Sequence, residues 1–290
     1  MTDLSGKAGP EAEPLVAIDD VSIHFPLGRS LFGKPPMLKA VDHVSLEIPK
    51  GSFVGLVGES GSGKTTLGRA ILQAVPITGG AIRYADGEVA YDVAKLGTEA
   101  LRDYRRRAQL IFQDPYAALS PRMTVRDIIA EPLEVMKLTR SREETDQRVR
   151  EIAAKCRLNL EHLRRFPHAF SGGQRQRISI ARALVCGPKF VVADEAVAAL
   201  DVSIQADILN LLKTLQRDLD LTFLFISHDL SVVAHVCDHV AVMYHGKIME
   251  QAPTRQLFAN PQHAYTRSLL SAIPSLDPDE RLNAIAYSPA

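Results

Sequence analysis

The stretch that decides the fold runs from residue 53 to residue 71 and reads FVGLVGESGSGKTTLGRAI. Its first part, Phe53 to Val57, is a compact apolar run that predicts a buried parallel strand. Its last part, from Thr66 onward, has the pattern of a helix. Between them, Gly58 to Thr65 fits the G-x-x-x-x-G-K-[ST] pattern. A glycine-rich turn between a buried strand and a helix is typical of a phosphate-binding loop.

This loop carries the groups that a polyphosphate needs. Its glycines let backbone N–H groups turn toward phosphate oxygens, and Lys64 would reach the terminal charges. The hydroxyl of Thr65 would bind Mg²⁺. We therefore predict an ATP and Mg²⁺ site whose nucleotide-binding residues are Gly58, Glu59, Ser60, Gly61, Ser62, Gly63, Lys64, Thr65 and Thr66. The structural alternative is an ordinary glycine-rich turn.

Two other apolar runs end in polar residues. Phe190 to Ala193 is followed by Asp194 and Glu195, at the end of a strand where open α/β sheets gather their ligands. Asp194 would hold Mg²⁺ in its outer coordination sphere, and Glu195 would polarise a water for attack on the γ-phosphate. The run from 221 to 226 leads to His228, which would contact the γ-phosphate. An acidic turn and a structural histidine are the alternatives.

The rest of the chain predicts how these strands are organised. Leu15 to Phe25 and Val44 to Ile48 alternate apolar and polar residues, as strands covered on one face do. Val125 to Leu163 is charged and helical in rhythm, which predicts a helical lobe inserted into an α/β domain. Residues 1–14 contain no apolar stretch and are expected to form a flexible tail.

Composition excludes several classes of protein. The 290 residues carry 34 basic and 34 acidic side chains, so the net charge gives no reason to expect a nucleic-acid partner. No window approaches the roughly 18–20 apolar residues of a membrane-spanning helix, so any membrane connection is expected to come through a partner. Three scattered cysteines argue against a disulfide framework and favour the cytosol.

A second phosphate-binding element identifies a family. Residues Ser171, Gly172, Gly173 and Gln174 open a predicted helix, which gives a second anion-binding helix start that one nucleotide does not need. This segment resembles the signature sequence of ABC ATPases; a simple capped helix is the alternative. In that family two cassettes sandwich two ATP molecules, each held between one chain's phosphate loop and the other chain's signature. The resemblance implies a RecA-like mixed and parallel core, an antiparallel β subdomain and an inserted helical subdomain.

The same resemblance implies further site residues. Gln113 looks like the glutamine that contacts Mg²⁺ and relays the nucleotide state to the helical lobe. Asp201 looks like a residue that couples the two sites of the dimer. Phe25 lies where the family stacks adenine, although a strand-end core phenylalanine is an equally simple interpretation.

Two stretches resemble the oligopeptide and dipeptide importers within this family: 113–125, QDPYAALSPRMTV, and 258–274, FANPQHAYTRSLLSAIP. The implied domains are an ABC ATPase domain at 15–250, with its helical subdomain at about 116–168, and a C-terminal extension at 251–290. Ala264 and Ala196 each replace a usual proline, and Ala198 replaces a common serine. Because Ala196 leaves the turn less stiff, we expect slower hydrolysis at this site.

The resemblance implies an ATPase subunit that powers peptide import from the cytoplasmic face of the inner membrane. Its implied partners are two integral membrane permeases, a second and usually non-identical ABC ATPase, and an external solute-binding protein. Import of nickel, glutathione or a peptide conjugate remains an alternative within the family. A soluble ABC ATPase acting in DNA repair or on ribosomes is the alternative from another class.

Two other clusters of residues are more simply explained without a functional site. His235, Cys237 and His239 are predicted to share one helix, where two histidines spaced by four could hold a metal, but the pattern supplies no third ligand. Arg105 to Arg107 is predicted to be a solvated turn.

Overall fold

The computed structural model describes residues 13–28, 35–272 and 287. The strands are β1 (Pro14–Pro26), β2 (Met37–Pro49), β3 (Phe53–Val57), β4 (Gly79–Ala85), β5 (Ala90–Asp92), β6 (Ala108–Ile111), β7 (Phe190–Asp194), β8 (Thr222–Ser227), β9 (His239–Tyr244) and β10 (Lys247–Pro253). The α-helices are α1 (Lys64–Ile71), α2 (Thr98–Arg107), α3 (Pro115–Ala118), α4 (Val125–Val135), α5 (Arg142–Lys155), α6 (Gly172–Leu184), α7 (Val202–Leu219), α8 (Leu230–Val236), α9 (Thr254–Ala259) and α10 (Ala264–Ser271).

The strands form two sheets. One is antiparallel, with the order β2-β1-β4-β5, and the other has the order β10-β9-β3-β8-β7-β6. In the second sheet β9, β3, β8, β7 and β6 run parallel, whereas β10 pairs antiparallel with β9. The parallel strands therefore bring the segments that follow β3, β6, β7 and β8 to one edge of the sheet. Those segments contain the predicted phosphate loop, Gln113, Glu195 and His228.

The central strand β3 separates two hydrophobic cores. Phe53 and Val57 pack with the helices that follow β6 and β7, whereas Val54 and Leu56 pack with the antiparallel sheet and α1. This alternation follows from the two-residue period of a strand. Because both faces are covered, every residue of β3 is buried, as its continuous apolar run predicts.

The secondary structure between β6 and β7 is entirely helical. Residues 112–189 are all described, and they form α3 to α6 with two short 3₁₀ segments and no strand. The helical lobe inserted into a mixed sheet is therefore present, and the α/β class is confirmed. Of the predicted tail, residues 1–12 lie outside the described residues, while Pro14 already belongs to β1. No helix of the described residues is long and apolar enough to span a membrane.

Two sequence interpretations are wrong. His235 lies in α8, which ends at Val236, whereas His239 begins β9, so the two histidines do not share a helix. Among the described residues no group of three or more His, Cys, Asp and Glu side chains could hold a metal. The arginines at 105–107 form the last turn of α2 and not a separate turn, although Arg105 and Arg106 are exposed as predicted. Arg107 is largely buried, and its guanidinium donates to Asp86 at 2.6 Å.

Candidate functional site

Two glycines of the phosphate loop leave no room for a side chain. Gly58 and Gly63 have positive φ angles of 147° and 105°. A Cβ on Gly58 would overlap the carbonyl oxygen of Met243, and one on Gly63 would overlap that of Ala40. The loop is therefore pressed against the backbones of β9 and β2, with its crest at Ser60 and Gly61 exposed.

Lys64 lies inside this loop, at the first position of α1. Its Nζ donates to the carbonyl oxygens of Gly58 and Glu59, both at 2.7 Å, and to Oγ of Ser62 at 3.2 Å. Burial lowers the pKa of Lys64, and the nearby carboxylates of Glu195 and Asp194 oppose that shift. The loop thus surrounds the buried Lys64 ammonium with backbone groups. Both this positive charge and the N-terminus of α1 favour binding of an anion here.

Thr65 and Asp194 meet at the adjacent strand end. The Thr65 hydroxyl donates to Oδ1 of Asp194 at 2.9 Å, and Asp194 is the last residue of β7. Burial raises the pKa of Asp194, while the hydrogen bond from Thr65 opposes the shift. Thr66 follows in the first turn of α1 and is half-buried. A hydroxyl and a carboxylate are the oxygen ligands that Mg²⁺ prefers, so this pair fits the predicted metal.

The carboxylate of Glu195, which follows β7, contacts residues that follow two neighbouring strands. Nε2 of Gln113, beyond β6, donates to its Oε2 at 2.7 Å, and Nδ1 of His228, beyond β8, lies 3.2 Å from its Oε1. The backbone N–H of Glu195 donates to the carbonyl of Ile226 at 2.9 Å. Glu195 has a φ of 46°, in the left-handed region that residues with a side chain seldom adopt. The structure therefore brings together three residues that the sequence assigned separately.

The segment Ser171–Gln174 begins α6 as a capping box. Oγ of Ser171 accepts from the N–H of Gln174 at 3.4 Å, and Oε1 of Gln174 accepts from the N–H of Ser171 at 3.0 Å. Gly173 packs so closely on α7 that a Cβ there would lie 2.5 Å from Cγ2 of Ile204. A Cβ on Gly172 would make only an ordinary contact, 3.5 Å from Cδ2 of Leu200. These contacts fix the helix start and leave Ser171 exposed.

Phe25 and Asp201 lie apart from these contacts. Phe25 stands near the end of β1, opposite Leu38 of β2, and both side chains are exposed. An exposed aromatic ring is available for stacking, as adenine binding would require. Asp201 occupies the N-cap position of α7, but its side chain makes no capping hydrogen bond. Both roles remain predictions.

Sequence reasoning missed a residue that contacts the phosphate loop. The hydroxyl of Tyr265, near the start of α10, accepts a hydrogen bond from the backbone N–H of Glu59 at 3.3 Å. The turn after β9 also contacts the loop, because the N–H of Gly246 donates to the carbonyl of Ser62 at 2.9 Å. The Tyr265 contact spans 206 positions of the sequence, and no local pattern indicates it.

Two family models match the chain. Residues 41–198 match the ABC transporter model, and residues 249–290 match that of the oligopeptide/dipeptide transporter C-terminal region. The oligopeptide transport ATP-binding protein OppF of Bacillus subtilis is 49% identical over 280 residues, covering 96% of this chain and 89% of the relative. The dipeptide transport ATP-binding protein DppF of Lactococcus lactis is 52% identical over 261 residues, covering 89% and 82%.

A solved structure shares the fold. A dimeric ATP-binding cassette in a post-hydrolysis state, bound to ADP and Pi, superposes with a TM-score of 0.71 at 28% sequence identity. The superposition covers 83% of this chain and 99% of the cassette.

Proposed function

This chain belongs to the ABC transporter family, and from that membership we propose that it hydrolyses ATP to power the import of peptides through separate permease subunits. The observation that carries the peptide assignment is the match of residues 249–290 to the oligopeptide/dipeptide transporter C-terminal region. The identity to OppF and DppF over most of the chain supports the same assignment.

ATP binding is assigned to the phosphate loop. The positive φ angles of its glycines and the helix start at Lys64 favour a polyphosphate. Lys64 would exchange its bonds to the loop carbonyls for bonds to phosphate oxygens. Phe25 would stack on the adenine ring.

Mg²⁺ is assigned to the oxygen atoms of Thr65 and Gln113, with Asp194 behind them. The hydrogen bond from Thr65 to Asp194 supports this assignment. It holds the Thr65 hydroxyl oxygen next to the buried carboxylate, so both oxygen atoms would lie close to one ion. A bound Mg²⁺ would neutralise charge on the phosphates.

Hydrolysis is assigned to Glu195. Its carboxylate would accept a proton from a water molecule whose oxygen attacks the γ-phosphorus, while the bond from that phosphorus to the β–γ bridging oxygen breaks to give ADP and phosphate. Gln113 and His228 hold the two carboxylate oxygens in place. His228 would in addition contact the γ-phosphate.

A second cassette would complete each site. The exposed start of α6, with its capping box, would supply N–H groups to the ATP bound by the partner chain. Asp201 would couple the two sites. The dimeric form of the superposed cassette supports this arrangement. We assign a non-identical ABC ATPase as the partner, and no nucleic acid.

The membrane partners follow from the same assignment. Two permease subunits would dock on the helical lobe at about 116–168, and Gln113, just before the lobe, would relay the nucleotide state to them. The chain would then lie at the cytoplasmic face of the inner membrane as a peripheral subunit. An external solute-binding protein would deliver the peptide.

The test is affinity capture of the tagged chain from gently solubilised membranes, with an untagged strain as control. Recovery of two polytopic membrane proteins and a second ATPase is the expected result, and transport of labelled peptides by the purified assembly would identify the substrate. Transport of nickel or glutathione but not peptides would overturn the peptide assignment. Recovery with ribosomes or nucleic acid from the soluble fraction would overturn transport altogether.

A further inference from the structure

The C-terminal part of the chain reaches back to the phosphate loop through one side chain. Tyr265 is 1% exposed, and its hydroxyl oxygen accepts the N–H of Glu59, the second residue of the loop. Burial raises the pKa of Tyr265, so this hydroxyl keeps its proton and stays neutral. The neutral hydroxyl therefore accepts a hydrogen bond from the backbone of the loop, and the nearby Glu59 carboxylate also favours its protonated form.

Glu59 is held from two sides. While its N–H donates to Tyr265, its carbonyl oxygen accepts from Nζ of Lys64 at 2.7 Å. Tyr265 therefore constrains the residue that in turn holds the cation of the loop. A loop whose peptide groups are already oriented binds its ligand more tightly, because less conformational freedom is lost on binding.

Tyr265 is itself held by its backbone and by its ring. Its N–H donates to Nδ1 of His263 at the start of α10, at 3.1 Å. The carboxylate of Glu250, in β10, accepts from the backbone N–H of His263 at 2.9 Å. The Tyr265 ring lies 4.3 Å from that of Tyr244 and 5.3 Å from that of Tyr287, measured between centroids. The hydroxyl is therefore presented to the loop by a fixed side chain.

We propose that Tyr265 is a positioning residue for the phosphate loop, through which the segment after β10 sets the affinity of this chain for ATP. The inference rests on the proposed binding of ATP at residues 58–65. If it holds, the segment after β10 contributes to nucleotide binding through Tyr265.

The test compares Tyr265→Phe with Tyr287→Phe in the full chain. The first removes the hydroxyl that accepts from Glu59 and keeps the ring; the second removes a hydroxyl from the same aromatic cluster and leaves the loop contact intact. We expect Tyr265→Phe to weaken ATP binding in calorimetry by about three- to tenfold, as loss of one hydrogen bond would. KM for ATP should rise by a similar factor with kcat little changed, and Tyr287→Phe should match the wild type.

Amide hydrogen exchange separates positioning from simple packing. In Tyr265→Phe, exchange should rise in a peptide that spans the phosphate loop and stay unchanged in a peptide from α10. Unchanged ATP affinity, or faster exchange throughout α10 with a matching loss of thermal stability, would overturn the proposal. If the wild-type chain itself failed to bind ATP, the proposed function would fail instead, so the two failures are distinguishable.

Discussion

Gln113 and Glu195, which are 82 positions apart, share a 2.7 Å hydrogen bond between Nε2 and Oε2. Gln113 follows β6 and directly precedes the helical lobe, whereas Glu195 follows β7. A movement of the lobe relative to the sheet would therefore move a donor of the proposed general base. This bond is the direct contact through which the proposed relay from the helical lobe to hydrolysis would act.

Substitution Glu195→Gln tests the proposed base. The amide is nearly the same size as the carboxylate, so ATP binding should persist, but the amide cannot accept the proton of the attacking water. In the dimer with its partner ATPase, we expect hydrolysis at this chain's own site to fall by about a hundred- to ten-thousandfold, and a closed dimer with bound ATP to accumulate in size-exclusion chromatography. Glu99→Gln, on the exposed surface of α2, is the matched control. Normal turnover by the Glu195 variant would remove that residue from the role.

Substitution Lys64→Ala tests the phosphate loop. The ammonium is the buried cation of the loop, and its bonds to phosphate oxygens would be charge-assisted. We expect its removal to weaken ATP binding by about 10- to 100-fold in calorimetry.

The control is Lys95→Ala, which removes an exposed ammonium that pairs with Asp92. Circular dichroism would establish that both variants fold. ATP binding by Lys64→Ala at wild-type strength would contradict the assignment of residues 58–65.

The sequence predicts best what is local. The phosphate loop, the acids after β7 and the signature all stand in short patterns whose flanking strand or helix is readable nearby. Contacts between distant segments have no such pattern. Nothing local indicates that Tyr265 touches Glu59, or that Arg107 turns inward to Asp86 and does not enter solvent. The interpretation of 105–107 as a solvated turn is right about the exposure of Arg105 and Arg106 and wrong about Arg107, because three consecutive charges give no sign that one has buried partners.

The buried pair of Asp86 and Arg107 predicts a pH-dependent stability. Burial opposes ionisation of Asp86, but bonds from the N–H groups of Val89 and Glu88 and from Arg107 outweigh it and lower its pKa from 3.8 to about 2. A carboxyl whose pKa is lowered on folding stabilises the protein above its unfolded pKa, and this contribution is lost as pH falls from 3.8 toward 2. A pKa lowered from 3.8 to about 2 corresponds to an expected contribution of about 2 kcal/mol at neutral pH.

Urea unfolding of Asp86→Asn would measure this contribution. We expect the variant to lose at least about 2 kcal/mol of unfolding free energy at neutral pH, and less in acid, where the wild type has lost the same contribution. Asp19→Asn is the control, because its pair with Arg83 is solvent-exposed and should contribute under about 1 kcal/mol. Equal losses in the two variants would contradict the importance of the buried pair.

Ala196 predicts that hydrolysis at this site is slow. It follows Glu195, whose φ of 46° is an uncommon angle for a residue with a side chain, and it is itself 1% exposed. A proline at 196 would fix one backbone angle of the turn that carries the proposed base. Where the turn accommodates the ring, we expect Ala196→Pro to raise the unfolding free energy by about 0.4–1 kcal/mol. A stiffer turn would also hold Glu195 nearer its reacting position, so hydrolysis should accelerate; this gain comes from positioning in the folded chain and is separate from the gain in unfolding free energy.

The measurement is site-resolved hydrolysis in the assembled dimer, with thermal unfolding of the isolated chain alongside it. Ala198→Ser is the companion variant, since it changes the other unusual position without fixing a backbone angle. If stiffness of the turn limits the rate, only Ala196→Pro should accelerate hydrolysis. A stabilised variant with an unchanged rate would show that Glu195 is already held well enough by Gln113 and His228, whose bonds to its two oxygens do not depend on residue 196.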